Sequence, residues 1–206
     1  MSVAHVEFLI EEPSMETFLR ALLPRLLGEV SFAIHAFQCK DDLLMRLPSR
    51  LQGYAPWLPE DYRIVVVVDR DADDCRELKA RLEQHAAAVE LPTRTRRRQD
   101  CFVVINRIVV EELEAWYFGD WEAVRSAYPR VSATVTRRAS FRDPDGIVGG
   151  TWEAFQRVLQ RAGYFKAGLR KIEVARAIAP HLDPARNTSH SFQVLREALL
   201  ELAGPG

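Results

Sequence analysis

The sequence contains an unbroken aliphatic run, residues 64–68, that ends abruptly in acids. The run reads Ile64-Val65-Val66-Val67-Val68, and the acids that follow are Asp69, Asp71, Asp73 and Asp74. β-Branched residues without polar alternation are typical of a strand covered on both faces, as in a parallel sheet between helices. Because open α/β sheets bind ligands at the carboxyl ends of their strands, the run predicts a central strand with an acidic ligand-binding edge.

Asp69 and Asp71 stand two positions apart. Both side chains can face one site if the chain stays extended for a residue or two beyond the strand. Clustered carboxylates repel one another and suit Mg²⁺, a hard cation that takes one or two carboxylates and keeps waters or substrate phosphates as its other ligands. Our working hypothesis is therefore a Mg²⁺-dependent site, which Mn²⁺ would also fit.

Two more strand-like segments, residues 5–10 and 102–110, also end in acids, although Asn106 and Arg107 interrupt the second. The acids are Glu11 and Glu12 after the first segment, and Glu111, Glu112 and Glu114 after the second. A helical pattern follows each of the three acidic ends. This repeated alternation of strand and helix predicts an α/β fold with a mostly parallel sheet, flanked by helices, whose strand ends share one acidic edge.

The pattern changes after Asp120. Three later segments carry apolar residues at helical spacing: 151–161, 169–179 and 189–202. We therefore expect an α/β core over residues 1–120 and a helical C-terminal extension over residues 121–206, packed on the same domain.

Bulk composition limits the possible classes of protein. The net charge of -1 excludes binding of nucleic acid by global charge alone, so any such binding needs local patches. Three widely spaced cysteines argue against a disulfide framework or a zinc site and fit a reducing compartment. No basic leader is visible, and no apolar run approaches the roughly 20 residues of a membrane span. We expect a cytoplasmic protein without membrane contact.

The acidic strand ends resemble the Toprim domain of topoisomerases, primases and nucleases of the OLD group. The resemblance covers the first half of the chain and rests on Glu11 in a turn between a strand and a helix, together with Asp69, Asp71 and Asp73 after an aliphatic strand. It departs from the usual Toprim pattern at Glu12, where a glycine is common.

A second resemblance covers most of the chain. Five motifs are similar to a bacterial family catalogued as domain of unknown function 4276: Glu-Glu-Pro-Ser-Met-Glu (11–16), Val-Asp-Arg-Asp-Ala-Asp (68–73), Val-Glu-Glu-Leu-Glu-Ala-Trp (110–116), Gly-Gly-Thr (149–151) and Ser-His-Ser-Phe-Gln (189–193). No activity follows from the family's name.

The Toprim resemblance implies a role for each matching residue. Glu11 matches a glutamate that serves in acid–base chemistry or metal binding, Asp69 and Asp71 match a metal-binding pair, and Asp73 matches an auxiliary acid. Glu112 and Glu114 have no Toprim counterpart and are candidates for a further metal shell. The implied activity is Mg²⁺-dependent phosphoryl transfer on nucleic acid, as in a nuclease, and analogy with OLD-type proteins implies an ATPase partner.

Basic residues supply candidate contacts to phosphate. The candidates are Arg94, Arg96, Arg97, Arg98, Arg137, Arg138, Arg142, Lys166 and Lys171. The arginines can contact a phosphate backbone if they border the acidic edge. Otherwise they form an ordinary solvated surface, and recognition of a partner protein is a third alternative. His190 is a candidate general acid or phosphate donor, with a structural hydrogen bond near a helix start as the alternative.

Other readings of the acids remain open. Acids near helix N-termini complement the helix dipole and cap the helix, an alternative that applies most to Glu16, Asp74 and Glu111. The rival functions are a non-catalytic partner-binding subunit of an anti-phage or mobile-element system, and a metal-dependent phosphatase for small molecules. The sequence indicates neither the oligomeric state nor the substrate.

Overall fold

The chain folds around a four-stranded sheet with the order β2-β1-β3-β4, in which every paired strand is parallel. The computed structural model describes residues 2–71 and 73–204. The strands are β1 (His5–Ile10), β2 (Ser31–Ala36), β3 (Tyr62–Asp69) and β4 (Val104–Val109). The helices are α1 (Pro13–Leu27), α2 (Lys40–Tyr54), α3 (Cys75–Ala87), α4 (Leu113–Gly119), α5 (Trp121–Ala127), α6 (Thr151–Arg161), α7 (Lys171–Ile178) and α8 (His190–Ala203). The predicted α/β class with a parallel sheet, flanking helices and a C-terminal helical addition is confirmed.

The predicted division into residues 1–120 and 121–206 includes four positions, Met1, Ala72, Pro205 and Gly206, that lie outside the described residues. Short 3₁₀ helices connect α5 to α6, at Val135–Arg137, Ala139–Phe141 and Pro144–Gly146, and another follows α7 at Ala179–His181. In the part of the chain that the structure describes, no helix combines the length and apolar character needed to cross a membrane.

The aliphatic run lies in β3, inside the sheet and between two hydrophobic layers. Val65 and Val67 pack into the layer formed with α1 and the C-terminal helices. Ile64, Val66 and Val68 pack into the layer formed with α2 and α3. All five are at most 1% exposed, which is why this strand shows no polar alternation.

The larger layer joins α1 to the helices that follow Asp120. The apolar residues of α1 that recur at helical spacing are buried there: Phe18, Leu19, Leu22, Leu23, Leu26 and Leu27. α7 and α8 pack directly against α1. The first βα unit and the C-terminal helices therefore share one core.

Strand β4 continues through Asn106 and Arg107, the two polar residues that interrupt the aliphatic run. Asn106 is buried, and its Nδ2 donates to Glu83 Oε1 of α3 over 2.9 Å. Lys79 Nζ of the same helix donates to the Asn106 carbonyl over 2.7 Å. The neighbouring helix thus supplies hydrogen-bond partners for the side-chain nitrogen and the backbone carbonyl of this polar residue.

Replacement of Leu22 by alanine should destabilise the protein by about 2–5 kcal/mol, because Leu22 is fully buried between α1 and the C-terminal helices. The free energy of unfolding in urea measures the loss. Leu200→Ala, at a leucine that is 38% exposed on α8, is the control and should change stability by less than about 1 kcal/mol. Equal losses in the two variants would contradict a core shared by α1 and the C-terminal helices.

Candidate functional site

The acidic edge lies at the carboxyl ends of β1, β3 and β4. Ile10 pairs with Val67, and Asp69 pairs with Val109, so the three strands end side by side. The backbone amide of Asp69 donates to Glu11 Oε2 over 3.1 Å. The predicted closeness of Glu11 and Asp69 is confirmed, whereas their chemical roles stay predictions.

Two carboxyl groups of this edge are buried, those of Asp69 at 4% exposure and Glu114 at 1%. Asp69 Oδ1 and Glu114 Oε2 are buried without a hydrogen-bond partner within residues 2–71 and 73–204. Burial raises the pKa of Asp69 well above its usual range, and the charge of Glu11 raises it further. Burial also raises the pKa of Glu114 to about 7, against the opposing effect of Lys171. Both oxygens are removed from water, and a buried carboxylate is unfavourable unless a hydrogen-bond donor or a cation contacts it.

Glu11 is the third carboxyl group of the acidic edge whose pKa is raised. Burial is the main cause that raises its pKa to about 7; the hydrogen bond from the Asp69 amide lowers the pKa, and the charge of Asp71 raises it. Neighbouring acids with raised pKa values are common at functional sites, and three such acids lie at this edge of the sheet.

Asp71 and Asp73 contact a lysine that the sequence reasoning missed. Lys40 Nζ lies 2.6 Å from Asp71 Oδ2 and 2.9 Å from Asp73 Oδ2, and it donates to the Arg70 carbonyl over 3.2 Å. Lys40 is the first residue of α2, just after β2. The sequence could have indicated Lys40, because it lies at the end of the segment that joins β2 to α2. In a parallel sheet, every segment that leads from a strand to the next helix starts at the carboxyl ends of the strands.

The acids after β4 point in three directions. Glu111 forms an ion pair with Arg70. Glu112 accepts hydrogen bonds from Thr151 Oγ1 over 3.0 Å and from the Trp152 amide over 2.9 Å, at the start of α6. Glu114 alone of the three is buried in the acidic edge.

Two other acids have local partners. Asp74 caps α3 by accepting from the amides of Arg76 and Glu77, as the capping alternative predicted. Glu16 forms an ion pair with Arg20 over 2.6 Å within α1.

Lys171 is a cation placed beside the buried carboxylates. It is the first residue of α7, and its Nζ lies 3.5 Å from Glu12 Oε2. Burial lowers the pKa of Lys171, but the charges of Glu114 and Glu12 outweigh that effect and raise it. Glu12 thus carries a carboxylate paired with a basic side chain.

The predicted metal ligands do not form a ready-made site. Among the residues that the structure describes, no group of three or more His, Cys, Asp or Glu side chains is arranged to hold a metal ion. Lys40 holds Asp71 and Asp73, and Thr151 with the start of α6 holds Glu112.

The first arginine group, which comprises Arg94, Arg96, Arg97 and Arg98, lies at the amino end of β4, opposite the acidic edge. The Arg94 amide donates to the carbonyl of Val104, the first residue of β4, over 2.8 Å. β4 has six residues and spans roughly 17 Å. Arg96 and Arg98 belong to the same loop, and Arg94 and Arg97 both form ion pairs with Glu201 of α8. This group does not border the acidic edge, contrary to the condition under which it was expected to contact a bound phosphate there.

The remaining candidates are separate from the acids. His190 is exposed at the first position of α8, Lys166 is exposed between α6 and α7, and Arg142 is exposed between α5 and α6. Across residues 2–71 and 73–204, none of the three forms a hydrogen bond or ion pair with an acid of the edge. Their functional roles stay predictions.

The family assignment comes from a match over most of the chain, which includes the residues of the acidic edge. A family model described as "Domain of unknown function (DUF4276)" matches residues 10–200, which include Glu11, Asp69, Glu114 and Lys171. The chain belongs to this family. The resemblance inferred from the motifs is thereby confirmed, and no curated protein matches the DUF4276 chain.

Solved structures similar to this DUF4276 chain include two C-terminal regions of OLD proteins. The one from Xanthomonas campestris pv. campestris, phased with platinum, is 14% identical, with a TM-score of 0.48 over 96% of this chain and 94% of that one. The one from Burkholderia pseudomallei is 15% identical, with a TM-score of 0.42 over 97% of this chain and 100% of that one.

Asp69→Asn should stabilise the metal-free protein at pH 8, because it removes a buried carboxyl group whose ionisation is opposed by burial and by Glu11. The midpoint of thermal unfolding in EDTA should rise, at about 2–4 °C for each kcal/mol gained. Glu29→Gln is the control, since Glu29 is an exposed acid in the turn before β2. A lower midpoint for Asp69→Asn would show that the carboxylate stabilises the fold.

Glu114 should contribute to the free energy of unfolding of the metal-free protein, and this contribution should decline as the pH rises. The folded protein keeps a proton on Glu114 up to about pH 7, whereas the ordinary pKa is 4.5. The contribution is therefore fully present below pH 4.5 and lost by about pH 7, by an amount on the order of 3 kcal/mol.

Glu114→Gln lacks this titration, which makes it the matched comparison. The difference in unfolding free energy between this variant and wild type should grow in favour of the variant from pH 5 to pH 8. Urea unfolding at each pH, in EDTA, measures it. Parallel pH profiles would contradict the raised pKa.

Proposed function

We propose that the acidic edge binds Mg²⁺ or Mn²⁺ and supports hydrolysis of phosphodiester bonds in nucleic acid. The observation that carries the proposal is that two buried oxygens, Asp69 Oδ1 and Glu114 Oε2, have no hydrogen-bond partner among the described residues. A buried carboxylate without a partner costs folding free energy, so its presence calls for a bound partner. Residues of functional sites commonly reduce the stability of the folded protein.

The chemistry of the donors fits a hard divalent cation. The acidic edge offers carboxylate oxygens, which Mg²⁺ and Mn²⁺ prefer over nitrogen or sulfur. We assign Asp69 and Glu114 as ligands, with Asp71 as the third after it exchanges Lys40 for the cation. Asp73 and Glu112 remain proposed members of the outer shell.

The other side chains of the edge handle the substrate and the proton. Glu11, fixed by the Asp69 amide, is assigned the proton transfer, which is the role that the Toprim resemblance implies. Lys171 and Lys40 offer positive charge to phosphate oxygens beside the carboxylates. A divalent cation bound here would withdraw charge from the phosphoryl group and stabilise the attacking and leaving oxygens.

Metal binding is tested by calorimetric titration of the wild-type protein with Mn²⁺. We expect binding at millimolar Mn²⁺ or below, loss of that binding in Asp69→Asn, and no change in Glu29→Gln. Absence of binding to the wild-type protein at millimolar Mn²⁺ would overturn the proposal.

Activity is tested on single-stranded DNA, duplex DNA, RNA and p-nitrophenyl phosphate, each with Mg²⁺ or Mn²⁺. Asp69→Asn should reduce the rate by at least about 100-fold, the scale on which a charge-stabilising group acts in catalysis. Hydrolysis of p-nitrophenyl phosphate alone would favour the small-molecule phosphatase. Metal binding without any hydrolysis would favour the partner-binding subunit, for which an ATPase partner stays a prediction.

A further inference from the structure

An arginine-lined cavity of about 430 Å³ lies in the C-terminal half of the chain. Its walls come from the junction of α4 and α5, from residues 133–142 and from residues 186–188. Four arginines line it: Arg125, Arg137, Arg142 and Arg186. We propose that this cavity binds the phosphate group of a nucleotide or polynucleotide.

Arg186 provides a fixed wall of the cavity. Its Nε donates to Asp120 Oδ1 over 2.8 Å and its Nη2 donates to Asp120 Oδ2 over 3.0 Å. Asp120 is 1% exposed and also accepts the Asp183 amide over 2.7 Å. A bidentate pair with a buried carboxylate holds the guanidinium in place, while Arg186 Nη1 lies 3.1 Å from the exposed carboxylate of Glu122.

The other three arginines have no such partner. Within residues 2–71 and 73–204, Arg125, Arg137 and Arg142 form no ion pair and no side-chain hydrogen bond. Four arginines against the two carboxylates of Asp120 and Glu122 leave the lining with a net charge of +2. Guanidinium groups around one cavity repel one another, and a bound anion removes that repulsion.

Two arginines at residues 94–98 differ from those of the cavity, because each has an acidic partner. Arg94 and Arg97 both pair with Glu201, and the Arg97 guanidinium lies 4.8 Å from the centre of the Phe102 ring. The single carboxylate of Glu201 thus partly neutralises two guanidinium groups. The arginines of the cavity, Arg186 apart, keep their donors free for a ligand.

Phosphate is the anion that best matches the lining. The planar fork of donors on a guanidinium suits phosphate oxygens, and several arginines can share one phosphate group or two neighbouring ones. The volume falls within the range of about 300–1,000 Å³ that is common for small-molecule sites.

The aromatic side of the cavity adds a rigid apolar wall. Phe118 is stacked between Trp121 and Phe141, at centroid distances of 5.5 and 5.1 Å and interplanar angles of 8° and 7°. Phe118 and Trp121 are buried, so half-buried Phe141 is the ring of this stack that can offer apolar surface to the base of a nucleotide.

The cavity shares no lining residue with the acidic edge, so this inference does not rest on the proposed hydrolysis. Both experiments below therefore use the Asp69→Asn protein in EDTA. A negative result for metal binding or cleavage leaves them interpretable.

The first experiment measures fluorescence anisotropy of a labelled single-stranded oligonucleotide as a function of salt. The variant Arg137→Gln with Arg142→Gln should bind about tenfold more weakly or worse. The slope of log affinity against log salt should fall in magnitude by about 0.7 for each lost phosphate contact. Arg125→Gln is an independent variant of the same cavity and should lower affinity in the same direction.

The control variant removes the same charge elsewhere. Arg76→Gln with Arg81→Gln replaces two exposed arginines of α3, which packs on the other face of the sheet. It should keep the affinity of the starting protein to within about twofold. Thermal midpoints verify that every variant is folded.

The second experiment titrates the same proteins with adenosine 5′-monophosphate by calorimetry. Weaker oligonucleotide binding in the cavity variants assigns the phosphate to a polynucleotide, and weaker binding of the monophosphate alone assigns it to a free nucleotide. Either outcome supports the proposal. Cavity variants that match the α3 control with both ligands, or a starting protein that binds neither, would overturn it.

Discussion

Burial of β3 on both faces is the constraint on which the rest of the structure depends. A strand of five consecutive aliphatic residues has no face for water, so it needs helices on both sides and a parallel neighbour on each edge. The same burial continues to Asp69, the last residue of the strand. A carboxylate is thereby carried out of water, and the neighbouring strand ends add Glu11 and Glu114. The site is therefore a consequence of how the sheet is covered.

Two lysines at the acidic edge occupy positions that the helix dipole disfavours. Lys40 and Lys171 are the first residues of α2 and α7, where the helix dipole disfavours a cation. Each instead contacts carboxylates from other elements, Asp71 and Asp73 for Lys40 and Glu12 for Lys171. Their placement is explained by the acidic edge and not by helix stability, which is the pattern expected where charge is arranged for chemistry.

The folded chain places its two arginine groups in different surroundings. One group, at residues 94–98, is partly neutralised by Glu201 at the amino end of the sheet. The other surrounds a cavity with an aromatic wall and keeps its donors free, apart from Arg186. Local composition reveals neither arrangement, because Glu201 is more than 100 positions away from Arg94 and Arg97, and the cavity arginines are spread over residues 125–186.

The sequence by itself determined the fold class, the central strand, and the closeness of Glu11 and Asp69, because strand burial and βα alternation are local signals. It also determined family membership through its spaced motifs. Only the tertiary structure decided that Glu114, and neither Glu111 nor Glu112, is buried at the edge, that Lys40 holds Asp71 and Asp73, and that residues 94–98 lie at the far end of β4. These outcomes depend on which side chains meet across the sheet, and packing between distant segments sets that geometry.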